Sequence, residues 1–482
     1  MSHSPGSARP QLLLGRREAL GRILGLASGG GALLGAGCGG GAGCAGGSSS
    51  PGGSSGASRS SSGRTREPME RDAARRGAEP SSAADGGKRH GSADAGLAAA
   101  RDASASPVPQ RPGGPNTMAM FRGDPARAVS GLGALGDRLV LRWRLRTERF
   151  YTPLPKGGRY QWSGTGWTGQ AALMGDRLVF GALDRFLYCV NPRTGRLLWR
   201  HEGGRMWKSS PCIHEGLVYA GNVDGSLYAL DLKTGARRWR MKSERGIDSS
   251  PLVSAGRLWV GLETGHLSCL EPDRGRLLWR TYLGGKEGEP GGAGCESSPA
   301  LSQGKLYIGC WDGHLYCLDA SSGKKLWGAP TYHDTDSTPV VVGREVFIGS
   351  ESSFLFCFDA DGGAERWRFK TGKGIWGTPA VAGGRIFVGS DDRHLYCLEA
   401  ATGALVWAFT AQDGIWSSPA VTGGKVVFGS YDGRVRILDA ETGALTWEYR
   451  TEGPVVSSPC VVDGWVWIGS RDGFFYAFGP PA

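Results

Sequence analysis

Ser417-Ser418-Pro419-Ala420-Val421, Lys425-Val426-Val427-Phe428, Gly429-Ser430-Tyr431-Asp432-Gly433 and Thr442-Gly443-Ala444-Leu445-Thr446-Trp447 are successive parts of one period of a repeat. The Ser-Ser-Pro run opens one short strand and the Lys-Val-Val-Phe run is a second. The Asp-Gly turn leads into a third, alternating strand of the kind seen in Leu315-Tyr316-Cys317-Leu318. A Thr-Gly turn then leads to a fourth strand, which carries the tryptophan. Four short strands joined by tight turns are the make-up of one propeller blade.

Outward from this unit, the turn glycine and its tryptophan recur as Gly195 with Trp199, Gly235 with Trp239, Gly275 with Trp279, Gly323 with Trp327, Gly363 with Trp367, Gly403 with Trp407 and Gly443 with Trp447. The step is 40 residues, except for 48 between Trp279 and Trp327, where the surplus falls in the glycine-rich stretch 284–294. Asp-Gly-like turns number eight, near Asp184, Asp224, Thr264, Asp312, Ser352, Asp392, Asp432 and Asp472. The last unit ends at Phe474-Phe475-Tyr476-Ala477-Phe478 without a tryptophan strand. A strand of that type stands alone at the other end, as Leu139-Val140-Leu141-Arg142-Trp143-Arg144-Leu145. The spacing therefore predicts an all-β, eight-bladed propeller of four-stranded antiparallel blades over residues 118–480, its last blade closed by the N-terminal strand.

The residue types have physical reasons. Asp319, Asp359, Asp439 and Asn191 lie four positions before the turn glycine, where a short polar side chain bonds turn amides. The eight repeat tryptophans, Trp143, Trp199, Trp239, Trp279, Trp327, Trp367, Trp407 and Trp447, are expected to pack on the neighbouring blade. Each ring would bury about 150–250 Å², worth at most roughly 4–6 kcal/mol.

The 482 residues carry a formal charge of +11, but much of the excess lies in the first hundred, as Arg64, Arg66, Arg71, Arg75 and Arg76. No basic stripe interleaved with aromatics runs along the repeats, so nucleic acid is not the expected partner. Arg16-Arg17 precedes a weakly apolar stretch, Ile23 to Leu34, and then Leu34-Gly35-Ala36-Gly37-Cys38. That order resembles a twin-arginine export signal ending in a lipobox, with Gly15 and Ala19 where serine or threonine and phenylalanine are usual. Residues 1–38 are read as the signal and Cys38 as the acylation site. Residues 39–117, rich in Gly, Ser, Ala and Arg, gain too little from burial to order and are read as a disordered tether spanning on the order of 50 Å. The expected location is the periplasm or outer membrane, by lipid anchor.

Asp439-Ala440-Glu441-Thr442-Gly443-Ala444-Leu445-Thr446-Trp447 resembles the signature of the pyrroloquinoline-quinone-type propeller repeat, Ala-x-Asp-x-x-Thr-Gly-x-x-x-Trp, and Phe121-Arg122-Gly123-Asp124-Pro125 resembles that family's run-in to the first strand. The resemblance covers residues 120–480 and specifies fold more than function. Within the family, export signal, tether and bare eight-blade length are more similar to the lipid-anchored propeller of the outer-membrane β-barrel assembly machinery than to the quinoprotein dehydrogenases. The resemblance implies a non-enzymatic, monomeric envelope scaffold engaging protein or peptide partners. The alternative is a quinone- or calcium-dependent dehydrogenase-like propeller, or one that binds a small ligand or saccharide, using its channel mouth. Against that alternative, no two cysteines are adjacent, no Cys-x-x-Cys-His occurs, and the large active-site insertions are missing. No cofactor or metal is expected.

Three residues before the repeat proline the blades read Thr168, Lys208, Asp248, Glu296, Asp336, Trp376, Trp416 and Val456, with Trp167 and Trp207 just before the first two. By family topology this loop approaches the central channel. Lys208, Asp248, Glu296, Asp336, Trp376 and Trp416 are thus the candidate ligand-binding residues, an acidic arc beside an aromatic one. The 284–294 insertion is expected to overhang the same face. Drift between repeats would produce such a set without any ligand. Cys189, Cys269, Cys317, Cys357 and Cys397 share a position with Ala229 and Ala477 and read as compact buried residues, as do Cys212 and Cys460. His266, His314 and His394 occupy equivalent positions in different blades, too far apart to share a metal.

Overall fold

Asp439 shows how each outer turn is built. Its carboxylate accepts hydrogen bonds from the amides of Glu441 and Thr442 and from the Thr442 hydroxyl, at 3.2, 2.9 and 2.8 Å. Gly443 follows with φ of 73°, a conformation that costs glycine little. Asn191, Asp319 and Asp359 accept the same pair of amides in their own turns, as their spacing predicts. In the computed structural model, which describes residues 117–153, 159–165, 169–284 and 294–481, such turns help to build eight four-stranded antiparallel sheets. Blade 1 consists of Ala172–Met174, Arg177–Gly181, Phe186–Val190 and Leu197–Glu202. Blades 2 to 7 repeat it, each beginning with a three-residue inner strand.

Blade 8 combines Cys460–Val462, Trp465–Gly469 and Phe474–Gly479 with Val140–Arg146 from the other end of the sequence. Trp143 lies opposite Ala477, just as Trp199 lies opposite Cys189, Trp239 opposite Ala229 and Trp367 opposite Cys357 within their own blades. The predicted closure is therefore present, and its seams match the others. Trp143 Nε1 donates to the Pro192 carbonyl at 2.9 Å, and its ring covers Gly195 so closely that a Cβ there would come within 2.6 Å of it. Trp199 does the same to the Leu232 carbonyl and Gly235, and Trp239 to the Pro272 carbonyl and Gly275. Trp367 repeats the pattern on the Ala400 carbonyl and Gly403, and Trp407 on the Ala440 carbonyl and Gly443. On the far side of blade 8, Trp447 Nε1 donates to the Leu139 carbonyl at 3.0 Å.

Two departures qualify the expectation for these rings. Trp279 and Trp327 cover Gly323 and Gly363 in the same way, yet their buried Nε1 atoms have no hydrogen-bond partner. Full burial is also reached only by Trp199. Trp143, Trp239, Trp279, Trp327, Trp367, Trp407 and Trp447 are half-buried, because each stands on the outermost strand with one edge toward solvent. Their contribution thus falls below the upper bound set by a fully buried indole. The repeated cysteine position is buried throughout, as a compact residue between sheets requires.

Two features go beyond the repeat. Arg149–Pro153 and Arg159–Ser163 pair as a hairpin between the closing strand and blade 1. The stretch expected only to lead into the first strand instead threads the ring. Met118 pairs with Leu173 of blade 1. The amides of Ile213 in blade 2, Leu301 in blade 4 and Val341 in blade 5 donate to the carbonyls of Ala119, Pro125 and Ala126 at 2.6, 2.7 and 3.0 Å. Val421 of blade 7 donates to Ser130 Oγ, and Leu132 pairs with Val462 of blade 8. Buried Arg122 donates to the Pro419 and Thr378 carbonyls, both at 2.5 Å. Buried Arg127 donates to those of Pro299 and Phe121 at 3.0 and 2.6 Å. Burial among neutral acceptors pulls the Arg122 guanidinium down to about 9 and that of Arg127 to about 10. Residues 118–132 thus form a plug bonded to six of the eight inner strands.

Candidate functional site

Above the plug the inner strands are laced by hydroxyls. The Ser-Ser-Pro motif explains itself here: the amide of each second hydroxyl residue donates to the side chain of its counterpart in the next blade. The chain of bonds runs Gln170 to Ser210, Ser250, Ser298, Thr338, Thr378, Ser418 and Ser458, at 2.9–3.2 Å. The Ser458 amide completes the circle on the Gly169 carbonyl at 3.1 Å. Buried amides that would otherwise be orphaned are satisfied, and the axis is held at one diameter.

Two residues further out along each inner loop lies the position singled out from the sequence. The fold gathers Lys208, Asp248, Glu296 and Asp336 around one cavity, floored by Phe121 of the plug and walled by Ser210, Ser250 and Ser298. Its free volume is about 30 Å³. Lys208 Nζ donates to Asp248 Oδ2 at 2.6 Å, and the Asp248 side chain is only 3% exposed. Asp248 Oδ1, also buried, has no hydrogen-bond partner. Oxygens of Asp248, Glu263 and Glu296 all lie within 4.8 Å of one another. Burial, with Asp336 and Asp248 alongside, holds the Glu296 carboxyl well above the usual carboxylate range. Burial alone would depress Lys208, but Asp248, Glu296 and Glu263 outweigh it and raise the ammonium above its ordinary value.

The aromatic half is also assembled. Trp376 stacks on Trp416 with ring centroids 4.8 Å apart and planes 15° from parallel. Trp416 is buried, donates to Asp391 Oδ1 at 3.0 Å and meets Tyr431 edge-on at 4.6 Å. Trp376 is half-buried. Val456 is buried, and Trp207 is buried with its indole donating to the Arg185 carbonyl.

Sequence reasoning missed the second layer. Glu263, Trp311, Asp391 and Tyr431 all sit at the third position of the Asp-Gly-like turn, whose variability from blade to blade was the available signal. Trp311 Nε1 donates to Asp336 Oδ1 at 2.8 Å, so this layer orients the first. A separate group, His333, Asp334 and Glu351, lies on blade 5, with the Glu351 carboxylate holding the His333 imidazole above its usual value. His266, His314 and His394 each contact a residue of their own turn, Thr264, Asp312 and Asp392. Thr168, Trp167, the stretch 285–293, Cys38, the signal and the tether up to residue 116 lie outside the described residues, whereas Thr117, read as the tether's last residue, is described and buried.

Residues 141–368 and 354–476 match the protein family described as outer membrane protein assembly factor BamB. No curated protein sequence matches. Among solved structures, a europium-containing methanol dehydrogenase is similar at 14% identity and a TM-score of 0.65, over 76% of this chain and 98% of that one. The quinohemoprotein alcohol dehydrogenase from Comamonas testosteroni is similar at 16% identity and a TM-score of 0.65, over 76% and 81%. BamB from Moraxella catarrhalis is similar at 19% identity and a TM-score of 0.56, over 71% and 100%. At such identities the solved structures establish the shared propeller fold.

The dehydrogenase resemblance raises quinone and calcium, and the cavity bears on both. Its 30 Å³ holds one or two waters, whereas organic ligands occupy pockets of roughly 300–1,000 Å³. Phe121 of the plug lines the cavity, and free space for one or two waters is too small for a fused-ring quinone, so that group does not fit. A bare cation matches the cavity in size, but Lys208 Nζ already stands against Asp248, where an ion would sit.

Proposed function

The chain belongs to the outer membrane protein assembly factor BamB family, and from that premise we propose that it is a non-enzymatic scaffold of the cell envelope that grips an extended basic segment of a partner protein at the channel mouth. One observation carries this reading: Lys208, Asp248, Glu296 and Asp336 line one cavity, with Glu263 within 4.8 Å of Asp248 and Glu296, while the half-buried Trp376 holds the same repeat position in blade 6, stacked on Trp416. A lysine or arginine side chain of a passing peptide would answer the excess negative charge and stack on the indole. The plug favours capture at the rim over passage through the ring, because the cavity has a floor. The reading includes export by the Arg16-Arg17 segment, acylation at Cys38 and a tether over 39–117, which would hold a monomeric ring near the membrane.

Calorimetric titration of the purified chain with an arginine-rich tetrapeptide tests the mouth. Binding should weaken about tenfold in Asp336→Asn and in Trp376→Ala. Equal binding by wild type and both variants, or a quinone chromophore in the absorption spectrum of the isolated protein, would overturn the reading.

A further inference from the structure

Cys295 and Cys310 bring their sulfurs to 3.2 Å from each other, and both residues are fully buried. Neither belongs to the shared cysteine position of the repeat. At the Cys295 position the other described blades carry Trp207, Ile247, Thr335, Ile375, Ile415 and Val455. At the Cys310 position they carry Ala182, Asn222, Leu262, Ser350, Ser390, Ser430 and Ser470. Blade 4 alone departs to cysteine, and it does so at both positions, which the fold places in contact. The backbone frame is the ordinary one. Cys310 Sγ donates to the Gly294 carbonyl at 3.4 Å, as Ser390 Oγ and Ser430 Oγ do to those of Gly374 and Gly414. Two thiols thus occupy a pair of positions that in blades 6, 7 and 8 carries isoleucine or valine with serine.

We propose that Cys295 and Cys310 form a disulfide that pins the connector carrying Glu296 to the end of strand Lys305–Cys310. Two S–H bonds break and one S–S bond forms. The two protons and two electrons pass to a disulfide oxidant such as oxidised glutathione, which leaves as two thiols. Because the pair is only 15 residues apart, it can close while blade 4 folds, before neighbouring blades bury it. The bridge fixes Glu296, the next residue, in the cavity wall. The inference rests on the repeat and the sulfur contact alone, not on what the mouth binds.

The test uses the full chain, refolded through mild denaturant in a graded ratio of reduced to oxidised glutathione. It is then alkylated in strong denaturant and digested for mass spectrometry. The expected product is a linked Cys295–Cys310 peptide, formed at ratios where Cys317 and Cys397 are still alkylated. The double variant Cys295→Ile with Cys310→Ser, which installs the residue types of Ile375 and Ser390 at the equivalent positions, keeps the fold measurable without the thiols. Oxidation should raise the melting midpoint of the wild type by about 4 °C and leave the double variant unchanged. Alkylation of Cys295 and Cys310 in step with Cys317, or an oxidation-dependent shift that persists in the double variant, would overturn the proposal.

Discussion

Lys208 Nζ lies 2.6 Å from Asp248 Oδ2, and that ion pair is what allows a cluster of carboxylates to exist beneath the rim of the ring. Asp248 is nearly inaccessible to water, and Glu263 and Glu296 stand within 4.8 Å of it. Replacing Lys208 by methionine removes one partner of a buried pair and should cost about 3–5 kcal/mol at neutral pH. Pairing Lys208→Met with Asp248→Leu should recover most of that loss. Urea unfolding of the single and double variants measures both.

Glu296 gives the molecule a pH dependence with a defined sign. Its folded carboxyl titrates well above the ordinary range because of burial and the neighbouring Asp336 and Asp248. Folding therefore favours the protonated form. The associated stability is present below about pH 4.3 and is lost as pH rises through the folded value. Glu296→Gln should be the more stable protein at about pH 8 and should show a flatter profile from about pH 4 upward. Unfolding midpoints across that range check it; a wild type that gains stability relative to the variant as pH rises would be the wrong sign.

The hydroxyl circle predicts an unusual cost for a small change. Ser250 Oγ accepts from the Ser210 amide at 3.0 Å, so Ser250→Ala leaves a buried N–H without that acceptor. The expected loss is about 1–3 kcal/mol. Thr338→Ser keeps its acceptor for Ser298 and should stay within roughly 0.5 kcal/mol of wild type. Denaturant titration separates the two.

Arg122 ties the plug to blades 6 and 7 through the Thr378 and Pro419 carbonyls. Arg122→Ala should loosen residues 118–132 before the blades themselves. The amides of Ile213, Leu301 and Val341, which bond to the plug, should lose hydrogen-exchange protection by about tenfold or more, whereas Tyr188 and Tyr476 in mid-blade should not. Equal loss at both sets would mean that the plug and ring open as one unit.

The ring was legible because it is written eight times. The 40-residue step, the Asp-Gly turns and the lone Trp143 strand pointed to blade number and closure, and Trp143 is found opposite Ala477. The repeat alone did not show that rings such as Trp239 and Trp367 keep an edge in solvent, because exposure depends on how far the next blade reaches over them. The mouth positions were legible for the same reason as the ring: a residue type that changes at a fixed place in a repeat stands out. Glu263 and Trp311 vary in the same way at their own repeat position, but nothing in the repeat shows that this turn reaches the mouth residues; only the fold sets Glu263 near Asp248 and Trp311 on Asp336. The plug escaped because Phe121 to Leu132 occurs once, and nothing periodic shows that its carbonyls complete the inner strands. The contact between Cys295 and Cys310 was hidden by a sequence separation of 15 residues, which only the fold brings together.

The central claim is that the acidic and aromatic rim is the surface by which this propeller holds a partner. A photocrosslinking residue placed at Trp376 in the full chain, with an identical probe at the exposed outer-strand residue Leu277 as control, tests it inside the cell. The account predicts a discrete envelope-protein adduct at position 376 that is missing at position 277 and fades when Asp336 is changed to asparagine. Adducts of the same identity and yield at both positions, unaffected by Asp336→Asn, would contradict it.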